Sequence, residues 1–326
     1  MTGTFKANNP YNNFLLFVYG LLLKLPMFIH APQPATQPLD GVLYTSFLKF
    51  LSPLAHNLPV IYSIISFILL FIQALGFNSI VNAQRMHQKP NYLTGMSYLL
   101  ITSLFNEWYS LSAPLIVNTM LIWVWSRLCT LYNNPHAKTT IFNIGFVLGI
   151  SAFFYFPSIA FVLLMMVGLI IARPFKLPEW LMGFVGIITP FYFYASWLFL
   201  SGRWKSYRFP GFKMTLPTFD ETNWGYAASL LVLLTVLVGI FFIQNNLRRQ
   251  VVQTRKSWYL LFLYLAVALL APFLNPTHSF DYWILVAVPV SLIVASAFLY
   301  PDKKWFPLAI HWGMVAISIA IGYFVH

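Results

Sequence analysis

The sequence predicts an all-α polytopic membrane protein with about eleven transmembrane helices, its N-terminus inside and its C-terminus outside, forming a single integral membrane domain over residues 1–326. Two observations predict that class. Of the 326 residues, 59% are hydrophobic and only 8% charged, with a mean hydropathy of +0.73. A soluble domain carries about 25% charged residues and could not hide so much apolar surface. Apolar runs of roughly 20 residues, enough to cross about 30 Å of hydrocarbon as helix, also recur along the whole chain. They are continuous rather than alternating, which argues against a transmembrane β-barrel. An aromatic content of 19% suits belts of Trp and Tyr at the lipid-water interface.

The first span covers about 13–30. Its run Phe14–Leu23 is followed by Lys24-Leu25-Pro26 with no small-x-small cleavage site, so it reads as a retained helix rather than a signal. Residues 41–54 place Val42, Leu43, Phe47, Phe50, Leu51 and Leu54 near helical spacing, with Tyr44, Thr45, Ser46 and Lys49 between them. That pattern predicts a juxtamembrane helix lying on the outer surface. The next spans are about 59–81, 92–106 and 111–130. The stretch from Thr139 to Ala172 is too long for one span and is broken by Phe156-Pro157, giving 139–155 and 157–172. The last five spans are about 179–200, 225–243, 257–273, 280–300 and 306–325.

Basic residues in short loops set the orientation. The loops this count places inside hold Arg85 and Lys89, Arg127 and Lys138, Arg173 and Lys176, Arg248, Arg249, Arg255 and Lys256, and Lys303 and Lys304. The outer side receives Asp40, Glu107, Asp220, Glu221 and Asp281, leaving Glu179 and Asp302 of the seven acids inside. The net charge of +12 is therefore a matter of orientation. No soluble basic domain exists to hold nucleic acid, so membrane lipids are the expected partners. The loop 201–223 departs from the rule by placing Arg203, Lys205, Arg208 and Lys213 outside, which marks it for function.

Candidate residues follow from these placements. Asp40 stands just before the juxtamembrane helix, either as its cap or as a general base beside a membrane-embedded substrate. Glu107, in Phe105-Asn106-Glu107-Trp108-Tyr109, is either a solvated turn residue or a second carboxylate for Asp40. Two carboxylates close together hold a divalent metal ion or split their pKa values for proton transfer. Lys24, inside a span, either snorkels to the surface or faces a cavity and pairs with an acid or a lipid phosphate. Arg203, Lys205 and Arg208, interleaved with Trp204 and Tyr207, suit a lipid phosphate or simple anionic-lipid anchoring. His278 and Asp281, before the tenth span, are further candidates, with a cap as the structural alternative for Asp281.

Other chemistries lack residues. The single Cys129 rules out an intrachain disulfide and a thiolate metal cluster. The seven histidines form no His-x-x-x-His or Glu-x-x-His pair, and neither a Gly-x-x-x-x-Gly-Lys loop nor a Gly-x-Ser-x-Gly elbow occurs.

Three features together resemble the GT-C superfamily of integral membrane glycosyltransferases, in its protein-mannosyltransferase and aminoarabinose-transferase branches. These are Asp40 in the first outer loop with a juxtamembrane helix after it, the Gly-rich stretch Gly145 to Pro157, and Tyr282-Trp283-Ile284-Leu285-Val286-Ala287-Val288-Pro289. The resemblance implies a GT-C-like membrane core acting on a polyprenyl-phosphate-linked sugar at the outer face of a bacterial inner membrane. It implies inverting transfer, with Asp40 as base, Glu107 assisting or holding a metal ion, and Arg203, Lys205 or Arg208 on the donor phosphate. Relatives often pair two acids in the first loop, whereas Gly41 follows Asp40 here, and many carry a lysine near the position of Tyr155 or Phe156. The alternative is a non-catalytic scaffold or accessory subunit that holds a membrane protein partner in a cell-envelope complex. A third reading, a transporter, lacks an internal repeat and a run of intramembrane acids.

Overall fold

A computed structural model describes residues 2–324 apart from 57, 133, 207–221, 275–279 and 304. Among the described residues every regular element is helical, and the helical membrane class is borne out. The chain runs through α1 (Thr2–Lys6), α2 (Tyr11–Leu23), α3 (Pro26–Ile29), α4 (Val42–Ala55), α5 (Val60–Ala83), α6 (Leu93–Ile101) and α7 (Ala113–Cys129). It continues through α8 (Ala137–Phe154), α9 (Val162–Ala172), α10 (Leu177–Leu200), α11 (Asn223–Leu247), α12 (Val252–Leu270), α13 (Ile284–Leu299) and α14 (Trp305–Phe324). Seven of the described helices are long and apolar enough to cross a membrane, those of α5, α8 and α10 to α14, while 11–23, 42–55, 113–129 and 156–172 form shorter apolar helices.

Several predicted spans are interrupted, each for a local reason. The run 13–30 breaks at Lys24, where Pro26 opens the new helix α3. The run 92–106 is helical only to Ile101, because the Thr102 and Ser103 hydroxyls turn back onto the Tyr98 and Leu99 carbonyls. All nine residues of α6 are buried, so this short helix sits inside the bundle rather than against lipid. Phe156-Pro157 opens a 3₁₀ segment, Phe156–Phe161, between α8 and α9.

The core is organised around α6 and α13, the latter buried along nearly its whole length. At the periphery, α11 exposes Leu230, Leu233, Leu234, Leu237 and Phe241, and α10 exposes Ile188, Tyr192 and Phe193. A contiguous apolar surface of that kind needs lipid around it. α8 and α10 run parallel with their backbones in contact. A Cβ on Gly145 would lie 2.3 Å from the Gly183 carbonyl oxygen, and one on Gly186 would lie 2.3 Å from that of Phe142. Small residues at such a seam let two apolar helices reach van der Waals contact where the hydrophobic effect offers no net drive.

Loops gather at two ends of the bundle. At one end the Tyr92 N–H donates to Phe5 O at 2.8 Å, Gln250 Nε2 to Met86 O at 3.1 Å and Lys6 Nζ to Leu299 O at 3.3 Å. Arg173 there donates to Leu131 O and Asn134 O and pairs with Glu179 at 3.4 Å. By connectivity the described loop cations outside the 201–206 segment fall at this end, apart from Lys24 between α2 and α3. At the other end Tyr44 Oη donates to Leu111 O at 2.6 Å, Trp108 Nε1 to Phe280 O at 3.1 Å and Asn106 Nδ2 to Ile321 O at 3.4 Å. Asp40, Glu107 and Asp281 belong to that second end.

Candidate functional site

The first loop is stitched to the end of α8 by backbone. Residues 40 and 155 form an isolated antiparallel bridge, in which the Gly41 N–H donates to Phe154 O at 2.8 Å and the Phe156 N–H donates to Leu39 O at 3.2 Å. Gly41 is required by this approach, since a Cβ there would stand 1.8 Å from the Phe153 carbonyl oxygen. The bridge fixes where Asp40 points. Its carboxylate is not a cap for α4, whose N-cap is Gly41 without a side-chain bond. Instead Asp40 Oδ2 accepts from the Gln37 N–H at 2.7 Å, while the Asp40 N–H donates to Gln37 O at 3.0 Å, closing a tight turn.

Around that turn lies a small cavity. Gln37, Asp40 and Tyr44 form one wall, Ser110 to Pro114 the second, and Asp281 with Tyr282 the third. Its free space is about 20 Å³, room for roughly one water molecule. The Ser112 hydroxyl on its wall is buried and has no hydrogen-bond partner among the described residues. Tyr155, the residue opposite Asp40 in the bridge, stacks on Tyr282 with ring centres 5.1 Å apart and planes 11° from parallel, which ties the first loop to the segment bearing Asp281.

The electrostatics follow from this enclosure. Burial pushes the Asp40 carboxyl up to about 6; the Asp281 charge adds to the rise, and the Gln37 N–H opposes it. The Tyr44 phenol is raised above its usual range by burial and then by the charges of Asp40 and Asp281. Asp40 can therefore exchange a proton near neutral pH, while Tyr44 stays a hydrogen-bond donor.

The predicted residues fall into different places. The second carboxylate of the cavity is Asp281, in the 3₁₀ turn Phe280–Trp283 that precedes α13, whose N-cap is Trp283. Glu107 lies in the 3₁₀ turn Asn106–Tyr109 and does not line the cavity. Lys24 is fully buried, donates from Nζ to Thr102 O at 2.9 Å and sits 5.2 Å from the centre of the Tyr109 ring. It does not snorkel, and among the described residues it pairs with no acid, the one ion pair there being Arg173–Glu179. Arg203 and Lys205 are exposed beyond α10, with the Arg203 guanidinium over the Trp197 ring, 5.8 Å from its centre. Neither lines the cavity. Arg208, Lys213, Asp220, Glu221 and His278 lie outside the described residues. Among the described residues no three His, Cys, Asp or Glu side chains group as metal ligands.

Sequence reasoning passed over Tyr44 as a polar spacer on a surface helix. In the structure Tyr44, Leu48, Leu51 and Ala55 form the buried face, and Phe50 and Leu54 point outward. The spacing i, i+4, i+7, i+11 carried that signal, had tyrosine been counted among the apolar residues.

A family model described as a family of unknown function, DUF6427, matches residues 39–326. The chain belongs to the DUF6427 family. That match takes in Asp40, Tyr44, Tyr155, Asp281 and Tyr282, so both carboxylates of the cavity lie within the DUF6427 region, while Gln37 and Lys24 precede it. No curated protein and no solved structure matches the chain.

Proposed function

We propose that the protein is a GT-C-like membrane glycosyltransferase of the bacterial inner membrane, acting on a polyprenyl-phosphate-linked sugar at its outer face. The observation that carries this reading is the half-buried Asp40, held near neutrality beside Asp281 in a cavity with an unsatisfied hydroxyl. In the reaction, Asp40 takes the proton of an acceptor hydroxyl as its oxygen bonds to the anomeric carbon, and the polyprenyl phosphate leaves with the bonding pair. Asp281 takes the part of second carboxylate that sequence reasoning gave to Glu107. Its charge keeps Asp40 basic. Arg203 and Lys205, at the same end of the bundle, receive the departing phosphate.

The membrane orientation belongs to the same proposal. The loop cations gathered beside the N-terminus put that end in the cytoplasm. An eleven-span count is supported by the alternation of successive loops between the two ends, with α2, α6, α7 and α9 crossing as short helices within the bundle.

A cavity the size of a water molecule favours a second reading, a non-catalytic subunit whose first loop is pinned shut. One experiment separates the two. Protein purified from its native membrane is analysed by mass spectrometry for bound polyprenyl-phosphate sugars, then assayed for release of polyprenyl phosphate. Turnover that is lost in Asp40→Asn supports the enzyme, whereas bound lipid without turnover, or no such lipid, supports the subunit.

A further inference from the structure

On the lipid-facing side of α5 and α7, a groove of about 350 Å³ opens between Ile72, Gly76 and Ile80 on one helix and Ile122, Trp123 and Arg127 on the other. Two features make it a site rather than a seam. A Cβ built on Gly76 meets nothing within 4 Å, so the missing side chain leaves a real depression. The amide on its floor is also satisfied. Gln73 Nε2 donates to Leu115 O at 2.8 Å and Thr119 Oγ1 at 2.7 Å, and Gln73 Oε1 accepts from Tyr98 Oη, so an apolar chain can cover Gln73 without orphaning it.

At the mouth stands Arg127, in the last turn of α7 and at the end of the bundle opposite Asp40. Its guanidinium lies over the Trp123 ring, 5.1 Å from the centre, and makes no hydrogen bond or ion pair among the described residues. The indole beneath it leaves the guanidinium N–H donors unused among the described residues, and Arg binds an oxyanion in paired charge-assisted hydrogen bonds. From Ile72 to Ile80 the groove runs about 12 Å along the helix axis. A helix of that length and about 10 Å across would take roughly 900 Å³. Even half of it exceeds the space, which suits a single hydrocarbon chain.

We propose that this groove binds one anionic phospholipid, its headgroup phosphate on Arg127 and an acyl chain lying over Gly76. The site is separate from the Asp40 cavity and does not depend on the function read there. The test uses the full-length protein in phosphatidylcholine nanodiscs doped with phosphatidylglycerol, followed by extraction in mild detergent and native mass spectrometry of retained lipid. The wild type retains phosphatidylglycerol over phosphatidylcholine, and Arg127→Gln weakens that preference about fivefold, as loss of one interfacial cation should. Arg127→Lys keeps most of it. Gly76→Phe, which fills the depression, loses the retained lipid whichever headgroup it carries. If Gly76→Phe does not fold, as judged by its melting curve, the two Arg127 variants decide alone. Equal retention of the two lipids by the wild type overturns the proposal. So does phosphatidylglycerol retention untouched by Arg127→Gln, or a lipid-free dimer that Gly76→Phe dissociates.

Discussion

At the scale of single residues, burial and hydrogen bonding decide what each candidate can do. Asp40→Asn keeps an oxygen for the Gln37 N–H but cannot take a proton, so transfer should fall about 10²–10⁴-fold with the protein still folded. With Asp40 as the base, wild-type rate should rise with pH through about 6, and a rate that is flat from pH 5 to 8 would remove Asp40 from that role. The stability effect has the opposite sign. A carboxyl raised from 3.8 to about 6 on folding contributes stability that is fully present below pH 3.8 and is lost as pH rises through 6. Melting temperatures of the wild type and Asp40→Asn, compared at pH 5 and pH 8, should therefore diverge in favour of the variant at the higher pH. His87 behaves differently. In the loop beside the basic end, burial pushes it down to about 4, while Asn91 donates to its Nδ1 and the ring bridges to Ser296. Stability from neutral His87 is complete above pH 6.5 and is lost as pH falls through 4, so His87→Gln should flatten the acid side of the melting profile.

At the scale of elements, two backbone contacts carry the site. The bridge between residues 39–41 and 154–156 holds the first loop against α8, and Gly41→Ala drives a Cβ into the Phe153 carbonyl. It should cost about 1–3 kcal/mol and displace Asp40, reducing activity beyond what the lost stability explains. A Gly41→Ala protein with normal melting and normal turnover would show that the loop is free to move. The α8–α10 seam is a second such contact. Gly145→Leu forces the helices apart at the Gly183 carbonyl and should lower the melting temperature in detergent, again by about 1–3 kcal/mol. Activity of the fraction that remains folded should be kept, because Gly145 lies more than two turns along α8 from the bridge. The interrupted helices belong to this scale as well: α2 stops where Lys24 and Pro26 meet, and α6 stops where two hydroxyls compete for its last carbonyls.

At the scale of the whole molecule, the separation of charge between the two ends predicts topology. Reporter fusions after Lys89, Arg203, Arg255 and Tyr323 should read inside, outside, inside and outside, and matching signals at Lys89 and Arg203 would mean that one of the short helices α6, α7 and α9 does not cross. The membrane class and the helical content were legible in the sequence, because transfer free energy is a property of each segment alone and adds along the chain. Asp40 was legible for a similar reason, as a carboxylate in a conspicuous loop. Its pairing was not. The sequence offered Glu107 as the second carboxylate, nearer in the chain, kept Asp281 only as a further candidate, and gave no measure of distance between residues 40 and 281. Packing made that choice: glycine at position 41 admits the α8 carbonyls, Tyr155 stacks on Tyr282, and the stack brings Asp281 to the cavity in place of Glu107. Segment hydropathy therefore fixed what kind of molecule this is, while the meeting of residues 37–44, 110–114 and 281–282 required three-dimensional contacts that no single segment encodes.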